Sequence, residues 1–119
     1  MPLFAQMSEL TRLARHYPAT ERPEGVERFK QTVKIGAVRY RSCVMVTVGP
    51  QGFYLWVRPP LGRSLAVLIP WDEVREIQRT RLYGRRAMRL SIGNPVVGTV
   101  TVYEELFRLM ASYLSQDLR

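Results

Sequence analysis

The stretch VVGTVTVYEELFRLMASYL (residues 96–114) decides the fold, because a strand pattern changes within it to the pattern of an amphipathic helix. Residues 96–102 are rich in valine and threonine, which favours a strand. Thr101 and Glu104 have the spacing of a capping box, which predicts a helix start near Thr101. The apolar residues that follow recur at helical spacing and form one face: Leu106, Phe107, Met110, Tyr113 and Leu114. That face is expected to cover the open end of a barrel.

Six further stretches before this one have strand patterns, and each is bounded by glycine or proline turns. The predicted strands span residues 28–35, 38–48, 53–58, 65–69, 75–82 and 88–92. In the first of them, Phe29, Val33 and Ile35 share one predicted face. Residues 83–86 are expected to form a turn. The order predicts a mainly β (α+β) fold of seven strands closed by a C-terminal helix.

The beginning of the chain has a different pattern. Residues 1–19 place Leu10, Ala14 and Tyr17 on one helical face, and Pro18 is expected to end this helix. We divide the chain into an N-terminal helix with its connector (1–27) and a barrel with its C-terminal helix (28–119), within a single domain. No apolar run reaches the roughly 20 residues of a membrane helix, and no secretory signal is recognised.

Two short motifs resemble those of bacterial pleckstrin-homology-like (GRAM-like) proteins. VGPQGFYL (residues 48–55) is similar to their hairpin, and LIPWDEV (68–74) is similar to their corner between the fourth and fifth strands. LTRLARHY (10–17) resembles the N-terminal segment of an uncharacterised bacterial branch. The resemblance implies a strongly bent, seven-stranded barrel of two near-orthogonal antiparallel sheets, capped by the C-terminal helix. It implies no enzyme activity.

The chain of 119 residues carries a formal net charge of +8, and all but two of its 18 basic residues are arginines. Positive charge favours anionic partners such as nucleic acid, acidic lipid head groups or an acidic protein. A genome of high GC content also favours arginine codons, so the arginine bias has a second explanation.

Three clusters are candidate binding sites. Lys34, Arg39 and Arg41 resemble the basic signature by which some eukaryotic pleckstrin-homology domains bind inositol phosphates, and they are candidates for phosphate binding. The alternative is a solvated strand face. An apolar tip flanked by arginines is a candidate interface with a protein or a membrane. It consists of Pro59, Pro60 and Leu61. The alternative is a loop that folds back on the barrel.

The third cluster belongs to the predicted fifth and sixth strands and is a candidate for nucleic-acid binding, with a tyrosine to stack on bases. Its members are Arg79, Arg81, Tyr83, Arg85, Arg86 and Arg89. The alternative is a charged hairpin that keeps a sheet edge soluble. We expect this cluster and the Lys34 cluster to act separately.

No residue set predicts catalysis. Cys43 is the only cysteine and His16 the only histidine, so neither a disulfide nor a four-ligand zinc site is expected. Cys43 is expected to be a small buried hydrophobe, His16 to end a helix, and Trp71 to belong to the core. We expect no cofactor and no small-molecule substrate.

The sequence therefore favours a non-catalytic binding or scaffolding module whose partner is a protein or an anionic membrane surface. Nucleic-acid binding by the arginine-rich hairpin is the alternative. A cytoplasmic location is expected, with peripheral membrane association as an extension of it. The oligomeric state stays open.

Overall fold

The computed structural model describes residues 8–58 and 63–114, which contain two α-helices, one 3-10 helix and seven β-strands. In chain order the elements are α1 (Glu9–His16), β1 (Val26–Ile35), β2 (Val38–Gly49), β3 (Gly52–Val57), β4 (Leu65–Ile69), a 3-10 turn (Trp71–Glu73), β5 (Val74–Leu82), β6 (Arg85–Ile92), β7 (Gly98–Tyr103) and α2 (Glu104–Ala111). The predicted mainly β fold of seven strands followed by a helix is confirmed.

The strands form one antiparallel sheet in the order β4-β3-β2-β1-β7-β6-β5. Its two parts meet at β1 and β7, which share only the pairs Lys34–Thr101 and Ile35–Val100. Inward-facing side chains from every strand belong to one buried cluster, with Val46 and Leu90 from opposite parts both fully buried. The sheet therefore curls around its own core as a half-barrel.

Helix α1 closes one side of this core. Ser8 caps it by accepting a hydrogen bond from the Thr11 backbone N–H, and Leu10 and Leu13 are buried. The helix ends at His16, because the Tyr17 carbonyl oxygen accepts a hydrogen bond from Leu68 of the edge strand β4. The prediction of helix for residues 17–19 was wrong, and residues 1–7 lie outside the described part of the chain.

Helix α2 packs on the core through Leu106 and Met110, as its apolar pattern predicted. Tyr113 was assigned to the same face, but the helix ends at Ala111 and Tyr113 is exposed and stacks on Trp71, so that part of the prediction was wrong. Its predicted capping box is wrong. Thr101 is still paired in the sheet, with Lys34 on β1 and Arg89 on β6, so it lies too far inside β7 to cap a helix. Tyr103 holds the N-cap position and makes no side-chain cap bond.

Strand β1 departs from simple alternation at Lys30, whose φ of 52° breaks the ladder. The pairing with β2 shifts between Arg28 and Gln31 and again before Val33. This bulge turns the Phe29 side chain away from the core, and 63% of Phe29 is exposed. The prediction that Phe29 shares a face with Val33 and Ile35 was therefore wrong.

The β5–β6 connection is a two-residue turn made by Tyr83 and Gly84, with φ values of 51° and 77°. Positive φ at both positions is the signature of a type I′ hairpin, whose twist matches that of the flanking strands. The predicted turn over residues 83–86 was too long, because Arg85 and Arg86 already pair with Leu82 and Arg81.

Candidate anion-binding site

A row of polar side chains crosses five strands on the outer face of the sheet. The registers of β2, β1, β7, β6 and β5 align Arg39, Lys34, Thr101, Arg89 and Gln78 in that order. Neighbouring strands lie about 5 Å apart, so adjacent members of the row are close. Sheet curvature and register thus place Arg89 of the predicted nucleic-acid cluster on the same row as the predicted phosphate-binding cluster.

Tyr83 links the two clusters directly. The guanidinium carbons of Arg39 and Arg41 lie 5.4 Å and 5.0 Å from the centroid of the Tyr83 ring. Such distances fit cation–π contacts. Tyr83 is 48% exposed. Positive φ is uncommon for a bulky residue, and strained backbone of this kind clusters at functional sites.

Arg85 and Arg89 are also held in place. The Arg85 guanidinium carbon lies 4.1 Å from the Tyr103 ring centroid, and its Nη2 donates to Glu105 at 2.6 Å. Arg89 donates a hydrogen bond to the Gln78 side-chain oxygen. We name the assembled surface the outer basic face. It consists of Lys34, Arg39, Arg41, Tyr83, Arg85 and Arg89.

The charges of the outer basic face are largely uncompensated. Lys34, Arg39 and Arg41 form no ion pair within residues 8–58 and 63–114. Lys34 and Arg39 stand directly opposite each other on β1 and β2, and like charges in that position destabilise a sheet. A bound anion would relieve this repulsion, so the surface is suited chemically to phosphate or carboxylate groups.

The structure divides the predicted nucleic-acid cluster between two sides of the β5–β6 hairpin. Arg79 and Arg81 follow Ile77, a core residue, by two and four positions, so all three point to the inner side. Arg86 stands opposite Arg81 and points the same way. Arg85 and Arg89 point outward. The predicted interface at Pro59, Pro60 and Leu61 lies outside the described residues.

Sequence reasoning missed the residues that hold the outer arginines. Tyr103 is the clearest example. Val100 and Val102 of β7 face the core, so the alternation of side chains along the strand places Tyr103 on the outer side. Glu105 is the second. Its sequence position gave no sign that it would reach Arg85, which lies twenty residues earlier in the chain.

The residues considered for catalysis are not members of the outer basic face. Cys43 is half-buried against the core, and burial raises the pKa of its thiol, which keeps the thiol protonated at neutral pH. His16 ends α1, as predicted. Trp71 donates through Nε1 to the Gly49 carbonyl oxygen at 2.7 Å and packs against Phe53, as a core corner residue does. Within the described ranges, no cluster of His, Cys, Asp or Glu has the arrangement of a metal site.

No protein-family model, curated protein or solved structure matches the chain. Neither described helix is long and apolar enough to cross a bilayer.

Proposed function

We propose that this chain is a non-catalytic binding module of pleckstrin-homology-like fold whose outer basic face binds phosphate groups on an anionic membrane surface. The observation that carries the proposal is the convergence of Arg39 and Arg41 on the Tyr83 ring. A guanidinium that stacks on a ring keeps its in-plane N–H donors for phosphate oxygens. Cytoplasmic location with peripheral membrane association is part of the proposal, and a lone cysteine agrees with a reducing compartment.

The fold part of the proposal rests on how the sheet is joined. Four strands, β1 to β4, pair extensively with one another, and β5 to β7 form a second well-paired group. Only two residue pairs connect the groups. We propose that the groups correspond to the two near-orthogonal sheets of a pleckstrin-homology-like barrel, with α2 covering its open end.

Binding of single-stranded nucleic acid is the second candidate function. The exposed Tyr83 ring lies among arginines, and aromatic side chains beside basic residues are a stacking platform for bases. A protein partner was the other prediction, but its residues, 59–61, lie outside the described part of the chain.

The test measures binding of the full chain to three probes at low and at physiological salt. The probes are vesicles of phosphatidylglycerol with phosphatidylcholine, vesicles of phosphatidylcholine alone, and single-stranded RNA. We expect salt-sensitive binding to the anionic vesicles and none to the neutral ones. Arg39→Gln with Arg41→Gln should weaken vesicle binding by about tenfold or more, because charge-assisted contacts are lost.

The matched control is Arg12→Gln with Arg15→Gln, which removes the same charge from α1. It should weaken vesicle binding clearly less than the Arg39 and Arg41 variant does, because neither of its arginines contacts the Tyr83 ring. An equal loss of vesicle affinity in both variants would show that the vesicles respond to the net charge of the chain and not to the outer basic face. Binding to RNA alone would transfer the function to the second candidate.

A further inference from the structure

The inner side of the β5–β6 hairpin carries a second group of arginines, separate from the outer basic face. Arg79 and Arg81 lie two residues apart on β5, and Arg86 stands directly opposite Arg81 on β6. Met88 stands opposite Arg79 and shares their side. The three arginines line one cleft together with residues at the start of α2.

Helix α2 supplies the other wall of a cleft of about 700 Å³. Glu104 and Phe107 line that wall, and Phe107 is half-buried against the core. The volume falls in the range of about 300–1,000 Å³ that is typical of small-molecule sites. We name this the arginine cleft, which consists of Arg79, Arg81, Arg86, Met88, Glu104 and Phe107.

The cleft has an excess of positive charge. None of its arginines forms an ion pair in the part of the chain that the structure describes, and Arg81 donates only to the Gly84 carbonyl oxygen, at 3.0 Å. The Glu104 carboxylate accepts a hydrogen bond from Arg108 at 2.9 Å, which directs its charge along the helix. Arg81 and Arg86 repel each other across the strands.

We infer that the arginine cleft binds a small organic polyphosphate, with at least two phosphate groups on the arginines and an apolar or ring portion against Phe107 and Met88. Guanidinium groups recognise phosphate oxygens in bidentate fashion, and several phosphates on one molecule match several arginines. An aromatic ring and a thioether provide the apolar contact. The cleft lies on the opposite side of the hairpin from the outer basic face, so this inference stands independently of the membrane proposal.

The experiment titrates the full chain with ATP, tripolyphosphate and adenosine by calorimetry at physiological salt. We expect ATP to bind with one-to-one stoichiometry, tripolyphosphate to bind more weakly, and adenosine to give no measurable heat. Arg81→Gln with Arg86→Gln should lower the ATP affinity by about tenfold or more. Arg39→Gln with Arg41→Gln, which removes the same charge from the outer side, should lower that affinity clearly less, because neither residue lines the cleft.

Two results would overturn the inference. One is an equal loss of ATP affinity in both charge-matched double variants, and the other is the absence of ATP binding at any salt concentration. Phe107→Leu keeps apolar bulk but removes the ring, and it should lower the affinity for ATP while sparing tripolyphosphate. An unchanged affinity for ATP would exclude the ring contact. If the Arg81 and Arg86 double variant does not fold, Arg79→Gln alone is used, and it should also lower the ATP affinity, because Arg79 lines the same cleft.

Discussion

The arginines on the two sides of the β5–β6 hairpin differ in how many contacts hold their side chains. On the outer side, Arg85 stacks on Tyr103, and Arg39 and Arg41 reach across from β2 to Tyr83. On the inner side, Arg79 and Arg86 make no ring contact and no ion pair within the described residues. The outer arginines are therefore preorganised for a ligand, whereas the inner arginines must lose side-chain entropy when they bind one.

This difference separates two kinds of anion. A prearranged, exposed, open surface suits an extended array of phosphates, such as a membrane or a polymer. A cleft whose arginines are not held by rings, with Phe107 and Met88 beside them, suits a compact ligand that the side chains can close around. One hairpin thus presents two chemically distinct surfaces, because strand alternation sends successive side chains to opposite sides.

The largest expected effect concerns α2, which forms a wall of the arginine cleft and supplies Glu105 to Arg85 of the outer basic face. Met110 is fully buried in the core. Met110→Ala should lower the free energy of unfolding by about 2–5 kcal/mol, because the truncation leaves a cavity. Chemical denaturation monitored by circular dichroism measures this change.

The control for Met110 is Arg108→Ala on the exposed side of the same helix. Its ion pair with Glu104 is exposed, so the change should stay within about 0.5 kcal/mol. Equal destabilisation by the two substitutions would contradict the packing of α2 and with it the wall of the cleft.

A smaller effect is expected at the turn of the hairpin. Tyr83→Asn places a residue that tolerates positive φ before Gly84, so it should leave stability unchanged or raise it by up to about 1 kcal/mol. The same change removes the ring under Arg39 and Arg41 and should weaken binding to anionic vesicles by roughly threefold to tenfold. Thermal melting and vesicle sedimentation check the two parts, and intact binding would show that the ring does not organise the outer basic face.

A third region, the contact between Tyr17 and Glu73, is expected to make the stability of the protein depend on pH. Tyr17 donates a hydrogen bond to Glu73 at 2.6 Å, and burial followed by this bond raises the pKa of Tyr17 to about 12. Unfolded tyrosine ionises near pH 10. The contribution of the Tyr17–Glu73 bond to the free energy of unfolding is therefore complete below pH 10 and is lost as pH rises toward 12. The difference in unfolding free energy between the native chain and Tyr17→Phe should therefore shrink over this window. A constant difference would contradict the role of the Tyr17–Glu73 bond.

The sequence predicted the strands well, because alternation and glycine or proline turns are local signals. It failed where a long-range pairing overrides such a signal. Thr101 and Glu104 have the spacing of a capping box, but Thr101 is held in β7 by its partners on β1 and β6. The bulge at Lys30 separates Phe29 from the alternating pattern of the rest of β1. No residue beside Lys30 predicts this bulge.

The sequence identified most residues of the candidate site, but it did not predict which of them lie together. Lys34, Arg39 and Arg41 were identified as one cluster, and the register of β1 and β2 brings Lys34 and Arg39 together. The contact of Arg39 and Arg41 with Tyr83 depends on the curl of the whole sheet, which is a property of all seven strands. Sequence spacing cannot encode a distance between residues that are more than forty positions apart.

The claim that the outer basic face is one surface is tested most directly by comparing two double variants on the same two ligands. Arg39→Gln with Arg41→Gln removes charge contributed by β2, and Arg85→Gln with Arg89→Gln removes charge contributed by β6. Vesicles of phosphatidylglycerol and single-stranded RNA are titrated with each variant over a series of salt concentrations. We predict that both variants weaken binding to the same ligand and flatten its decline with salt, because each removes contacts to the same anionic array. Loss of vesicle binding in one variant and of RNA binding in the other would show two separate sites and contradict the account.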